Sequence, residues 1–135
     1  MRTVLIIIVV ACLAILPACQ RRDGVASLNL RDNSAAVALL QKVNTAARDC
    51  WIKSKDKDFR KYALIPELDT RAGRPRILVV EKKSAQGLPQ FVIEADGNPA
   101  KILAFGPLGQ SPLAGRINSD IARWASGGAG CTANA

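Results

Sequence analysis

The chain has 135 residues, which is enough for one domain but leaves no room for a second enzyme module. It carries 19 Lys and Arg residues against 11 Asp and Glu residues, a formal net charge of +8, and it contains no His. The sequence therefore lacks the commonest general base and the commonest metal ligand, which excludes His-based catalysis and His-ligated metal sites.

Hydrophobic residues are concentrated at the start of the chain, where the first 18 positions hold fifteen of them and a single charge, Arg2. The apolar run from Val4 to Leu16 has thirteen residues. A membrane-spanning helix needs about twenty, so the positive start and short apolar run are typical of a signal peptide. An uncleaved anchor and an ordinary secretory signal remain alternatives.

The end of this run, Leu16-Pro17-Ala18-Cys19, resembles the lipobox of bacterial lipoproteins. The resemblance implies cleavage before Cys19 and attachment of lipid to its sulfur and to its new amino group. Gln20 stands where an Asp would favour inner-membrane retention, so the expected location is the outer membrane, facing the periplasm. The predicted organisation is a signal peptide at 1–18, a lipidated tether at 19–33 and one periplasmic domain at 34–135.

The tether is rich in charged and turn-forming residues, and its arginines would lie close to lipid headgroups. Within it, Val25–Leu30 alternates apolar and polar residues and could alternatively pair as a strand. From Ser34, a predicted N-cap, apolar residues recur at three- and four-residue steps and predict one amphipathic helix that ends near Cys50-Trp51.

Four segments with strand character follow, at 59–69, 75–83, 89–96 and 100–105. Short connections containing Gly separate them, so the simplest arrangement is an antiparallel meander. Pro66 lacks an amide hydrogen, which favours an edge position for the first strand.

A second amphipathic helix is predicted to begin at Ser111-Pro112, a cap followed by proline, and to end at Gly127-Gly128. The predicted fold class is α+β, a four-stranded antiparallel sheet flanked by an N-terminal and a C-terminal amphipathic helix. The sheet's apolar face needs a cover, and the two helices supply it.

The four cysteines divide into two that belong to the leader and two that belong to the domain. Cys12 would leave with the signal peptide and Cys19 would carry lipid, so Cys50 and Cys131 remain as a pair in an oxidising compartment. We expect one disulfide between them. A metal or redox site is the competing interpretation, but two distant cysteines without a CxxC spacing offer too few ligands for zinc.

The helix ending in Cys50-Trp51, the Asp96-Gly97 turn and the final Cys131 are similar to features of the C-terminal domains of TolA and TonB-like periplasmic proteins. The resemblance spans roughly residues 34–131. It implies a protein partner that binds by adding a strand to an exposed sheet edge.

The strongest surface signal is a basic run in which five cations fall within nine residues: Lys53, Lys55, Lys57, Arg60 and Lys61. Such a run attracts anions, and the polyanions of the envelope are phospholipid, lipopolysaccharide and acidic glycan. Nucleic acid is not expected, because the chain has only six aromatic residues for base stacking. Asp56 and Asp58 interrupt the run, so a merely solvated loop is the alternative.

These features together predict a lipid-anchored, non-enzymatic adaptor or binding lipoprotein without metal or cofactor. The enzymatic alternative is a small periplasmic hydrolase or lyase that uses carboxylates such as Glu67 and Glu94 as acid and base. A structural spacer between envelope layers is the third alternative.

Overall fold

The computed structural model describes residues 32–69 and 73–132, which fall within one compact unit, Arg31–Ala135. The predicted signal peptide, Cys19 and nearly all of the tether lie outside the described residues. In the part of the chain that is described, no helix has the length and apolarity to cross a membrane.

The first helix, α1, spans Ser34–Ala47 and continues as a π-helical turn over Arg48–Lys53. Ser34 was the predicted N-cap, but it is already helical: Asn33 is the cap residue, and the Asp32 carboxylate accepts the Ser34 amide hydrogen at 3.0 Å. The Ser34 hydrogen bonds lower the pKa of Asp32. The helix therefore begins one residue earlier than the sequence pattern indicated.

The four strands are β1 (Tyr62–Glu67), β2 (Arg76–Glu81), β3 (Phe91–Asp96) and β4 (Lys101–Phe105). They form one antiparallel sheet in the order β1-β2-β3-β4, which confirms the meander. Pro66 lies in an edge strand, as its missing amide hydrogen required. The predicted second strand was too long, because Lys82–Ser84 forms a 3-10 turn after β2.

The second helix, α2, spans Ala114–Ala125, and so begins later than the predicted Ser111-Pro112 start. Ser111 explains the delay. Its hydroxyl donates to the Leu108 carbonyl at 2.8 Å and accepts the Leu113 amide hydrogen at 3.2 Å, which forms a separate turn before the helix. The predicted glycine end is confirmed: Gly127 has φ +91°, and the Gly128 amide donates to the Arg123 carbonyl at 2.8 Å.

Both helices cover the same face of the sheet, and the core lies between these two layers. Its members share near-complete burial and come from α1, β2, β3 and α2; they include Leu40, Val43, Ile77, Val79, Phe91, Ile93, Ile117, Ile121 and Trp124. The predicted α+β class is therefore correct.

Cys50 and Cys131 form the predicted disulfide, with an S–S distance of 2.06 Å and a Cα–Cα distance of 5.1 Å. The bond joins the end of the first helical segment to the chain that follows α2. The helical layer is thus covalently closed at the end from which the basic run begins.

Candidate functional site

The predicted basic run forms the connection between the π-helical turn and β1, and its first and last members have acidic neighbours. The Lys53 Nζ atom lies 2.7 Å from an Asp49 carboxylate oxygen. The Lys61 Nζ atom lies 3.9 Å from Glu81 and 5.1 Å from the centre of the Tyr62 ring. Both pairs are solvent-exposed, and such pairs contribute little to stability.

The two acidic residues that interrupt the run are held by an arginine from the other end of the chain. Asp56 has only 4% of its surface exposed and pairs with the Arg116 guanidinium, and the same guanidinium reaches an Asp58 oxygen at 3.2 Å. Burial alone would raise the pKa of Asp56, but the hydrogen bond from Arg116 and that from the Asp58 amide outweigh it and lower this pKa. The same contact raises the pKa of Arg116.

Arg116 engages both aspartates, and three cations of the run lie close to them in the sequence. Lys55, Lys57 and Arg60 are exposed, and none of the three forms an ion pair with a described carboxylate. Exposed cations are expected both of an anion-binding surface and of a merely solvated loop, so both interpretations stay predictions.

Two further cations extend this surface and were not predicted as part of it. Lys82 and Lys83 lie in the turn after β2 and are exposed. The Lys82 ammonium donates to the Arg60 carbonyl at 2.8 Å, and its amide donates to the Lys61 carbonyl at 2.9 Å. The adjacent lysines were visible in the sequence, but only the β1–β2 register brings them beside Arg60. We call this surface the basic end; it comprises Lys55, Lys57, Arg60, Lys61, Lys82 and Lys83.

Beneath the basic end lies a buried polar network centred on Asp120, which is fully buried. The Trp51 indole N–H donates to one Asp120 oxygen at 2.9 Å. The other oxygen accepts hydrogen bonds from Arg123 and from the Thr132 hydroxyl. The Arg116 Nε atom lies 3.9 Å from Asp120, so this one arginine connects the buried network to the basic loop.

Sequence reasoning missed Asp120 as well. It lies three residues after Ile117 and one before Ile121, on the face that packs into the core. The signal was a carboxylate placed within an apolar helical face, since a carboxylate is almost never fully buried unless it is paired.

An aromatic cluster fixes the loop above this network. The Trp51 and Phe59 rings stack with centroids 4.6 Å apart and an interplanar angle of 4°. Trp124 lies 5.1 Å from Trp51, and the Arg116 guanidinium lies 5.2 Å from the Phe59 ring centre. The loop that carries the basic end is therefore held from inside by both aromatic stacking and ion pairing.

The carboxylates considered for acid–base chemistry lie on the outer face of the sheet and do not converge. Glu67 is opposite Arg76 in the register, and Arg76 is opposite Glu94, so one strand separates the two acids. The Arg76 Nε atom lies 2.6 Å from Glu67, and an Arg74 nitrogen lies 2.9 Å from Glu94. This is a ladder of cross-strand ion pairs.

An open groove of about 690 Å³ lies between the outer side of α1 and residues 128–131, and Lys42 and Asp49 are its charged lining residues.

Over the ranges 32–69 and 73–132, no three His, Cys, Asp or Glu side chains are grouped closely enough to hold a metal ion. Comparison with protein-family models, with curated proteins and with solved structures gives no match for this chain.

Proposed function

We propose that this chain is a lipid-anchored, non-enzymatic protein of the bacterial envelope whose α+β domain is an adaptor or binding module. In this proposal Cys19 carries the lipid, and the domain faces the periplasm from the outer membrane. The observation that carries the binding role is the basic end, where Arg116 engages Asp56 and Asp58 and the exposed cations beside them remain for an external anion.

The arrangement of carboxylates favours a binding module over a hydrolase or lyase. An acid and a base need to face one substrate atom from hydrogen-bonding distance. Glu67 and Glu94 are instead separated by β2, and each contacts an arginine at the surface. A spacer between envelope layers would need neither a basic loop held by ion pairs and aromatic stacking nor an open sheet edge.

A second candidate role is strand addition to a protein partner at β4. This strand is the edge opposite the Pro66 strand, and among the described strands no fifth one pairs with it. Its outward side chains Leu103 and Phe105 are largely exposed, so an added strand would find apolar neighbours. The similarity to TolA and TonB-like domains supports this role.

The anchor is tested by metabolic labelling with a fatty acid. Wild-type chain should incorporate label, and Cys19→Ser should incorporate none. Cys12→Ser is the matched control, because it removes a cysteine from the apolar run and should leave labelling unchanged. Label retained by Cys19→Ser would contradict the proposal.

The binding role is tested by retention of the purified chain on an immobilised polyanion such as dextran sulfate. Lys55→Gln/Lys57→Gln/Arg60→Gln should elute at lower salt than wild type, and the shift should exceed that of the control Lys42→Gln/Arg48→Gln/Lys101→Gln. Both variants lose three positive charges. Equal shifts would mean that net charge, and not the basic end, determines retention.

A further inference from the structure

Two large apolar side chains are exposed at the end of the sheet that carries Lys82 and Lys83. Leu88 in the β2–β3 connection has 87% of its surface exposed, and Phe105 at the end of β4 has 47%. The Leu108 amide donates to the Gln90 carbonyl at 3.0 Å, which brings the end of β4 beside the connection that carries Leu88. We call Leu88 and Phe105 the apolar rim. Leu103 is also exposed, but it lies opposite Glu94 in the register and so belongs to the other end of the sheet.

Cations flank this rim, whereas the opposite end of the sheet is neutralised. Lys82 and Lys83 belong to the same connection as Leu88, and Lys82 contacts Arg60. At the opposite end, Arg74 pairs with Glu94 and Asp96 at 2.9 and 3.0 Å, and Arg76 pairs with Glu67, so that end carries arginine–carboxylate pairs. Unpaired positive charge therefore coincides with exposed apolar surface at one end of the domain.

We propose that the basic end and the apolar rim together form a contact surface for an anionic phospholipid bilayer. An acidic polysaccharide would match the cations but would leave Leu88 and Phe105 in water. The headgroup boundary of a bilayer offers phosphate to the lysines and an apolar layer to Leu88 and Phe105 at the same depth. This inference deepens the proposed binding role by naming its partner, and it does not depend on acylation of Cys19.

The test places a tryptophan in the apolar rim. Leu88→Trp chain is purified in detergent, reconstituted with vesicles of phosphatidylcholine alone or with phosphatidylglycerol, and quenched by lipids brominated on their acyl chains. We expect quenching of the introduced indole only when phosphatidylglycerol is present. Asn118→Trp, on the exposed side of α2, is the control and should stay unquenched. Trp51 and Trp124 are buried, so wild type provides the background to subtract.

Charge removal gives the second measurement. In the Leu88→Trp background, Lys82→Gln/Lys83→Gln should shift the equilibrium away from the docked state by about fivefold for each lysine lost. Lys42→Gln/Arg48→Gln removes the same charge from the helical layer and should leave quenching unchanged. An equal loss of quenching in the two double variants would overturn the assignment of the basic end.

Two further outcomes would overturn the proposal in favour of another partner. If Leu88→Ser leaves phosphatidylglycerol-dependent quenching of a Phe105→Trp reporter intact, Leu88 is not inserted and the cations alone bind. If the chain sediments as a dimer that Phe105→Asp dissociates, and brominated lipids quench nothing, the rim contacts a second copy. Fatty-acid labelling is scored separately, so failure of the anchor and failure of this surface are distinguishable.

Discussion

Removal of the Asp120 carboxylate is the sharpest test of how this fold is held together. Asp120→Ala would leave the Trp51 indole N–H without an acceptor inside the core. It would also remove the buried partner of Arg123 and a charge that lies 3.9 Å from Arg116. Leaving the buried Trp51 donor without a partner costs about 1–3 kcal/mol. The arginines keep other partners, because Arg116 still contacts Asp56 and Asp58, and Arg123 still donates to backbone carbonyls.

Such a loss would be large for a domain of this size. Small domains have about 5–15 kcal/mol of stability, and near 100 residues each kcal/mol shifts the melting temperature by about 4–8 °C. Asp120→Ala should therefore melt at least about 4 °C below wild type. Thermal and urea unfolding followed by near-ultraviolet circular dichroism would measure this, because the two tryptophans lie in the affected cluster.

A matched control and a double variant isolate the buried network. Asp49→Ala removes an exposed carboxylate that pairs with Lys53, and it should cost less than about 0.5 kcal/mol. Trp51→Phe should cost less in the Asp120→Ala background than in wild type, because the orphaned N–H is then absent. An Asp120→Ala variant that unfolds with the same midpoint and slope as Asp49→Ala would refute the reasoning.

Three other changes probe the remaining determinants of stability. Cys50→Ala/Cys131→Ala should lower the free energy of unfolding by about 4–5 kcal/mol, given the sequence separation of 81, as urea titration would measure; two free thiols in the unreduced wild type would contradict the premise. Because the pKa of Asp56 is lowered in the fold, its stabilisation is complete above the unfolded pKa of about 3.9 and is lost as pH falls through the lower folded value. Asp56→Asn should therefore lose less urea stability than wild type as pH falls below about 4. Parallel plots of unfolding free energy against pH for the two chains would count against this. Gly106→Ala should destabilise the fold by more than about 1 kcal/mol, because φ is +132° and the new Cβ would lie 2.7 Å from the backbone leading into β3. Gly115→Ala is the control, since its Cβ meets open space and should not destabilise the fold. Similar melting temperatures of the two variants would refute the steric argument.

The features that the sequence predicted well are those that depend on local patterns. The alternation of apolar and polar residues and the short connections that contain Gly predicted the four strands and their antiparallel order. The missing amide hydrogen of Pro66 predicted an edge position for its strand. The pairing of Cys50 with Cys131 was predicted by counting cysteines, after Cys12 and Cys19 were assigned to the predicted leader and lipid site. The basic run was correctly identified as exposed, because charge density along the chain is also a local property.

The features that were missed depend on partners distant in sequence. Trp51 and Asp120 are 69 residues apart, and neither residue alone indicates that its polar group is satisfied by the other. Asp56 and Asp58 were noted only as interruptions of the basic run, but Arg116, about 60 residues away, engages both. The sequence around the run gives no sign of this partner, because the contact forms only in the folded chain.

The pairing of Arg116 with Asp56 and Asp58 bears directly on the proposed binding role. A lysine-rich loop normally loses conformational freedom when it closes on a ligand, and that loss reduces affinity. Here Phe59 is stacked on Trp51, and Asp56 and Asp58 are held by Arg116, so the backbone between Lys55 and Arg60 is ordered before any ligand arrives. In the proposed binding role, the buried network contributes to function as well as to stability, because it presents the cations in a fixed arrangement. Weakening the network should lower affinity for an anionic surface even when every lysine is retained.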